Sequence, residues 1–266
     1  MEAADALKSI HTVEALDALL ESSLQPDARV RLRVQSAIGG FYNPRALESA
    51  MKTIRSESNP TIINTAMRSL SGYGSSEIGS ILLQYLRKPS YRNTHAESAI
   101  AAMEKQDNPV FIMPILETLM ERKGLFSTRG MVNALSSLAY LGRHQDDKSM
   151  LLSFIAGRLQ DPKSAVRSGA IRALATLKDP KAIAILEKWM SADSDSPEYK
   201  AAQTAISTLR KMALPGEDLK GLRNKIQTME SDQKLMHTDL NDLKKKMEAL
   251  STKPVQKETS AEKDSE

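Results

Sequence analysis

Residues 161–183 read DPKSAVRSGAIRALATLKDPKAI: an Asp-Pro pair, an apolar run at helical spacing, a Lys-Asp-Pro break and the start of a second such run. Asp or Asn ahead of Pro is a helix start with a physical cause. The side-chain oxygen accepts from the first free backbone N–H groups, and Pro needs no hydrogen bond at the first helical position. The stretch is therefore a helix, a sharp connection and another helix.

The pattern recurs. With Leu174 of this stretch as anchor, equivalents stand at Leu7, Ile38, Leu70, Met103, Leu138 and Ile206, separated by 31 to 36 residues. The residue before each anchor is small: Ala6, Ala37, Ser69, Ala102, Ser137, Ala173 and Ala205. Four before each stand Ala3, Val34, Ala66, Ala99, Ala134, Ala170 and Ala202. Residues three and four apart share a helix face, so small side chains there admit a close neighbour while the large anchor fills the remaining gap. After most anchors a breaker precedes a second apolar run, as at Asn43-Pro44, Ser75-Ser76, Asn108-Pro109 and Asp179-Pro180. Helix pairs that each leave one face unburied must stack on their neighbours. The fold class read from this is all-α, a solenoid of about six helix pairs.

Composition agrees. The 266 residues are 41% apolar but only 4% aromatic, a core of small and unbranched side chains that favours helix. Lys and Arg number 37 against 33 Asp and Glu, a mixed surface without the concentrated basic footprint of a nucleic-acid binder. Arg29, Arg31 and Arg33 alternate on a helix and point in different directions. The chain has no cysteine, which excludes disulfides and Cys-ligated zinc. Its acidic, amphipathic start is not a signal peptide and no stretch is long enough to span a membrane, so the sequence reads as soluble and names no compartment.

Residues 161–190, through Asp161, Val166-Arg167, Ala170 and Ala173-Leu174, resemble the HEAT repeat in the short form also found in phycobilisome-lyase-like proteins. The resemblance extends over residues 2–212 and implies a HEAT-like α-solenoid that binds protein or peptide partners. Arg167 has a counterpart at Arg31, but Ile63, Ala96 and Met131 stand at the other equivalent positions, so no continuous Asp–Arg ladder is expected. The stretches VEALDALLESSLQPDARVRLRVQSAIG, PSYRNTHAESAIAAM and DSPEYKAAQTAISTLRKM are further similar to the C-terminal helical region of bacterial membrane-alanyl-aminopeptidase-type zinc peptidases. That resemblance implies a non-catalytic scaffold lying after a catalytic domain N-terminal to Met1. The first anchor helix, with Ala3, Ala6, Leu7 and Ile10, reads as an interior repeat cut from its neighbour, as a seat for a partner, or as the frayed first helix of a complete protein. An independent adaptor and a phycobilisome-lyase-like enzyme remain as alternatives.

Chemistry-bearing motifs are missing from the sequence. It contains no His-Glu-x-x-His, no Gly-x-Met-Glu-Asn and no Gly-x-Ser-x-Gly, so no catalytic, cofactor-binding or metal-binding residue is assigned. His11, His95, His144 and His237 are far apart and read as surface or turn residues. The glycines of GYGSSEIG (72–79) suit a helix-to-helix connector. Trp189 reads as core. The exposed recognition segment expected between helices is YLRKPSYRN, with Tyr85, Arg87, Lys88, Tyr91 and Arg92 as partner-binding residues.

Beyond Pro215-Gly216 the pattern changes. Leu219, Leu222, Ile226, Met229, Gln233, Met236, Leu240, Leu243, Met247 and Leu250 alternate three and four apart, a heptad seam. The g and following e positions pair Asp218 with Arg223, Lys225 with Glu230, Asp232 with His237 and Asp239 with Lys244. This favours a homodimer through residues 218–250; an amphipathic helix folding back to cap the last repeat is the alternative. The expected division is a solenoid at 1–214, a coiled-coil helix at 215–250 and a polar, disordered tail at 251–266.

Overall fold

The computed structural model describes residues 2–191, 194–213 and 215–251, and these contain helices, turns and no strand. The chain divides after Ala213 into two compact units. In chain order the first unit holds α1 (Glu2–Ile10), α2 (Val13–Glu21), α3 (Ala28–Ile38), α4 (Pro44–Ser56), α5 (Pro60–Ser69), α6 (Ser76–Arg87) and α7 (Thr94–Gln106). It continues with α8 (Ile112–Glu121), α9 (Thr128–Gly142), α10 (Ser149–Gly157), α11 (Ser164–Leu177), α12 (Ala182–Glu187) and α13 (Pro197–Ala213). The second unit is described from one helix, α14 (Pro215–Ser251). The expected disordered tail lies outside the described residues.

The odd-numbered helices α1 to α13 pack each on the next and form one layer; α2 to α12 lie against them as a second layer. Six helix pairs thus stack in sequence behind α1. Ala66, Ala99, Ala134, Ala170 and Ala202 are buried in the first layer, as are the anchors Ile38, Leu70, Met103, Leu138, Leu174 and Ile206. The helices approach so closely that a Cβ built on Gly169 of α11 would stand 2.9 Å from both methyl carbons of Val132 on α9. Large side chains of the second layer, among them Leu82, Leu86, Ile115, Leu119 and Ile155, fill the space behind this seam.

The capping chemistry sets the helix starts. Asn43 and Asn59 accept from the backbone N–H of Arg45 and Thr61 ahead of Pro44 and Pro60, and Ser75 caps α6 through Ile78 N. In the 161–183 stretch the helices begin later than the Asp-Pro signal. Asp161 and Asp179 accept from the N–H of Lys163 and Lys181, closing a turn first, so α11 starts at Ser164 and α12 at Ala182. Lys178, at φ 57°, turns the chain between them. In α1 the register also differs: Ala3, Ala6 and Ile10 are exposed, Leu7 is half-buried, and Ala4 is the residue that packing on α2 and α3 covers.

If small residues set the interhelical spacing, enlarging one overpacks the seam. Ala170→Leu, at a site with no exposure, is expected to cost about 1–3 kcal/mol. Lys163→Leu, on the exposed approach to the same helix, is expected to be nearly neutral. Urea denaturation of the full chain followed by circular dichroism measures both; equal effects would contradict the packing account.

Candidate functional site

Most charged arginines of the first unit are tied into the fold. Arg31 donates from Nε to Glu57 Oε2 at 2.8 Å and from Nη1 to the carbonyls of Gln25 and Pro26 at 3.0 and 2.7 Å. Arg167 repeats the arrangement, donating to Glu198 Oε1 at 2.6 Å and to the carbonyls of Asp161 and Pro162, both at 3.0 Å. Each guanidinium therefore ties the loop before its own helix to a carboxylate at the start of the next first-layer helix, just before α5 for Glu57 and in the first turn of α13 for Glu198. Between these clasps Ile63, Ala96 and Met131 are buried and apolar, as the sequence implied. Arg45 pairs with Asp17, Arg55 with Glu77 and Arg143 with Asp107.

Arg33 and Arg68 are different. Arg33 is 53% exposed in its side chain and its nearest carboxylate, Asp5 on α1, is 3.8 Å away. Arg68 is exposed, and its side-chain hydrogen bond goes to Thr65 Oγ1 on its own helix, at 3.3 Å. Together with Leu32, Ser36, Thr61 and Ser69 they line an open groove of about 570 Å³ between α3 and α5. Its floor is shallow because the two helices nearly touch there: a Cβ on Gly39 would lie 2.2 Å from Ser69 Oγ. Arg29, one turn from Arg33, is turned away and locked onto Asp27, whose carboxyl that hydrogen bond lowers to about 2. Spacing alone could not reveal this groove, because its two cations come from different positions in two successive repeats.

The segment expected to be exposed, residues 85–93, is split by the structure. Tyr85 is not available to a partner: its ring is buried and its hydroxyl donates to Ile54 O at 2.8 Å. Its helical spacing from Leu82 and Leu86 places it on the apolar face of α6. Arg87 and Lys88 are exposed, with Lys88 Nζ 4.7 Å from the centre of the Tyr85 ring. Tyr91 is 79% exposed, with the Arg92 guanidinium 5.3 Å from its ring centre. Arg92 and Asn93 both have positive φ, 50° and 54°, a costly backbone for a long side chain.

Behind this connection lies a buried polar pair whose histidine reads from the sequence as a surface or turn residue. His95 is buried with Nδ1 2.6 Å from Asn64 Oδ1, and its ring meets that of Tyr85 edge-on. Burial, and secondarily the Lys88 charge, lowers the His95 pKa, so the neutral ring is favoured. His144 and His237 are exposed; His11 stacks on Phe41 at 4.4 Å. Trp189 is partly buried against the core. Among the described residues no group of three or more His, Asp or Glu could hold a metal ion, and no helix is long and apolar enough to cross a membrane.

In the second unit, α14 runs unbroken through the heptad region. Ile226, Met229, Gln233, Met236, Leu240 and Leu243 of the seam are exposed, Met229 by 71% and Met236 by 62%. The side chains of Leu219, Leu222, Met247 and Leu250 lie outside the described residues.

A family model described as HEAT repeats matches residues 131–211. No curated protein matches the chain by sequence. Among solved structures, the crystal structure of an engineered protein aligns with a TM-score of 0.51 and 18% identity over 77% of this chain. The chain spans 60% of that structure's length. A designed armadillo repeat protein aligns with a TM-score of 0.45 and 17% identity, covering 73% of this chain and 99% of its own. Human deoxyhypusine hydroxylase in complex with glycerol aligns at 0.35 and 14% identity, covering 78% of this chain and 88% of its own. The fold is an all-α, HEAT-like solenoid.

The clasps carry a pH dependence. Burial raises the Glu198 carboxyl, but hydrogen bonds from Ser164, its own backbone N–H and Arg167 outweigh burial and hold it below the ordinary glutamate range. A carboxylate with a lowered folded pKa adds stability that is complete above the unfolded value and is lost as pH falls through the folded one. Glu198→Gln is therefore expected to cost about 1–3 kcal/mol at neutral pH. That gap should narrow as pH falls through and below the ordinary glutamate range, read as melting temperature against pH. A gap constant across that range would mean the carboxylate charge contributes nothing.

Proposed function

We propose that this chain is a non-catalytic helical-repeat scaffold that holds a protein or peptide partner on its first unit and associates with a second copy of itself through α14. The observation that carries the partner-binding reading is Tyr91, a largely exposed aromatic side chain on a connection whose left-handed residues Arg92 and Asn93 restrict its backbone. A fixed aromatic ring loses little entropy on binding and is a frequent anchor in interfaces. Arg87, Lys88 and Arg92 supply the polar rim. Peptides selected from a displayed random library on the immobilised protein are expected to bind Tyr91→Ala at least about tenfold more weakly, the worth of one anchor. Selected peptides indifferent to Tyr91, Arg87 and Arg92 would remove this patch from the function.

The similarity to the helical C-terminal region of aminopeptidases of the membrane-alanyl type supports a finer reading: the scaffold is the non-catalytic end of such a protein, with its catalytic domain ahead of Met1. The reading frame upstream of Met1 tests it. A continuation into a His-Glu-x-x-His domain supports it, and a frame without one favours the independent adaptor. An enzyme of the phycobilisome-lyase type is the less supported alternative, since the sequence, with one tryptophan, shows no run of clustered acidic and aromatic residues.

Self-association rests on the exposed apolar seam and its flanking charges. In a parallel pair, Lys225 would face Glu230 and Asp239 would face Lys244 of the other copy, and Gln233 at a central a position would penalise slipped registers. Such exposed pairs are each worth under about 1 kcal/mol, so they select register while the seam supplies affinity. The chain has no cysteine, which makes a single introduced one diagnostic. Met236→Cys is expected to give a disulfide-linked dimer under mild oxidation, and Lys225→Glu with Asp239→Lys to weaken the dimer more at low salt than at high. A monomer in sedimentation equilibrium at tens of micromolar, with no Met236→Cys cross-link, would instead make α14 an intramolecular element.

A further inference from the structure

The groove between α3 and α5 is open and lined by two arginines. Its two arginines are weakly engaged: Arg33 reaches a distant Asp5 carboxylate at 3.8 Å, and Arg68 reaches a hydroxyl of its own helix. Around them stand hydroxyls from both helices. Thr65 and Ser69 already donate to the backbone of α5, to Thr61 O at 2.9 Å and Thr65 O at 3.1 Å, leaving their oxygens as acceptors. The guanidinium groups are left as the strong donors of the groove.

From this we infer that the groove is a binding site for a short acidic segment of a partner protein, whose Asp or Glu carboxylates seat on Arg33 and Arg68. This is a surface distinct from the Tyr91 patch. Guanidinium forks match the planar carboxylate and bind it with two parallel hydrogen bonds. A carboxylate, that of Asp5, already stands at the edge of Arg33, so the ligand repeats at closer range a contact present at the rim. The near-contact of Gly39 and Ser69 keeps the floor low, which lets an extended backbone lie across the helix pair.

The neighbouring helix limits the ligand's length and class. On α7 the carboxylates are Glu97 and Glu104, half-buried, which accept from Ser127 Oγ at 3.0 Å and from Ser137 Oγ at 2.5 Å, with the exposed Lys105 at the end of the helix. A long polyanion such as RNA would find two carboxylates and a single lysine on this helix and no further arginine. A short acidic peptide confined to α3 and α5 would not reach those carboxylates.

The experiment is fluorescence anisotropy on the full chain with a labelled dodecapeptide of alternating glutamate and glycine, a glutamine-for-glutamate copy of it, and a labelled oligouridine of similar length. The glutamate peptide is expected to bind about tenfold or more tightly than the glutamine copy at low salt, the equivalent of one charge-assisted hydrogen bond, and to weaken as salt is added. Arg33→Glu with Arg68→Glu should reduce its affinity by about tenfold or more. Lys52→Glu with Lys181→Glu, the same change in net charge on exposed second-layer positions, should leave it within about twofold. If the reversed pair loses its helical signal, Arg33→Gln with Arg68→Gln replaces it, with the same expectation. Equal binding of the two peptides, equal loss in both charge-reversal pairs, or tighter Arg33- and Arg68-dependent binding of the oligouridine would overturn the inference. None of these outcomes touches the Tyr91 test, which uses selected peptides.

Discussion

The close approach of successive first-layer helices is the constraint from which the remaining architecture follows. Ala66, Ala99, Ala134, Ala170 and Ala202 have almost no exposed surface because the neighbouring helix lies directly on them. Where even alanine is too large the chain uses glycine, as at Gly169 against Val132. Packing this tight gains dispersion contacts that looser helices forgo. It also fixes each pair by its neighbours alone, so stability is a sum of local terms. The second layer follows from it: large Leu and Ile side chains fill the wedge that the narrow seam leaves behind.

Polar interactions refine this frame at particular places. The Arg31 and Arg167 clasps sit where a charged residue replaces the apolar Ile63, Ala96 and Met131 of the intervening repeats, and each donates to two carbonyls of the loop before its helix. Tyr73 performs a related task, donating to the carbonyls of Phe41 and Asn43 at 3.1 and 3.0 Å across one repeat. Arg33 and Arg68 stand out against this background. The residue type that closes loops at Arg31 and Arg167 here faces an open groove.

The architecture was legible in the sequence because it is periodic. The anchors and their small neighbours define the buried face of every first-layer helix from α3 onward, and Asn43 and Ser75 mark helix starts through local hydrogen bonds. Asp161 and Asp179 misled by two residues, since an Asp-Pro pair can close a turn before the helix as well as open the helix itself. Tyr85 and His95 misled for another reason. Aromatic and imidazole side chains are compatible with either environment, and the partners that bury them, Ile54 and Asn64, lie 31 residues away in the preceding repeat. The α3–α5 groove was hidden for the same reason, because it exists only once two repeats are stacked.

Native-state hydrogen exchange, read by mass spectrometry on peptides from each helix, tests the central claim most directly. If the close-packed first layer is the spine of the solenoid, the amides of α5, α7, α9 and α11 exchange slowest, and those of α1 and the second-layer helices exchange through smaller local openings. Protection that is greatest in the second layer, or that is uniform along the first unit and lost in a single step, would contradict it.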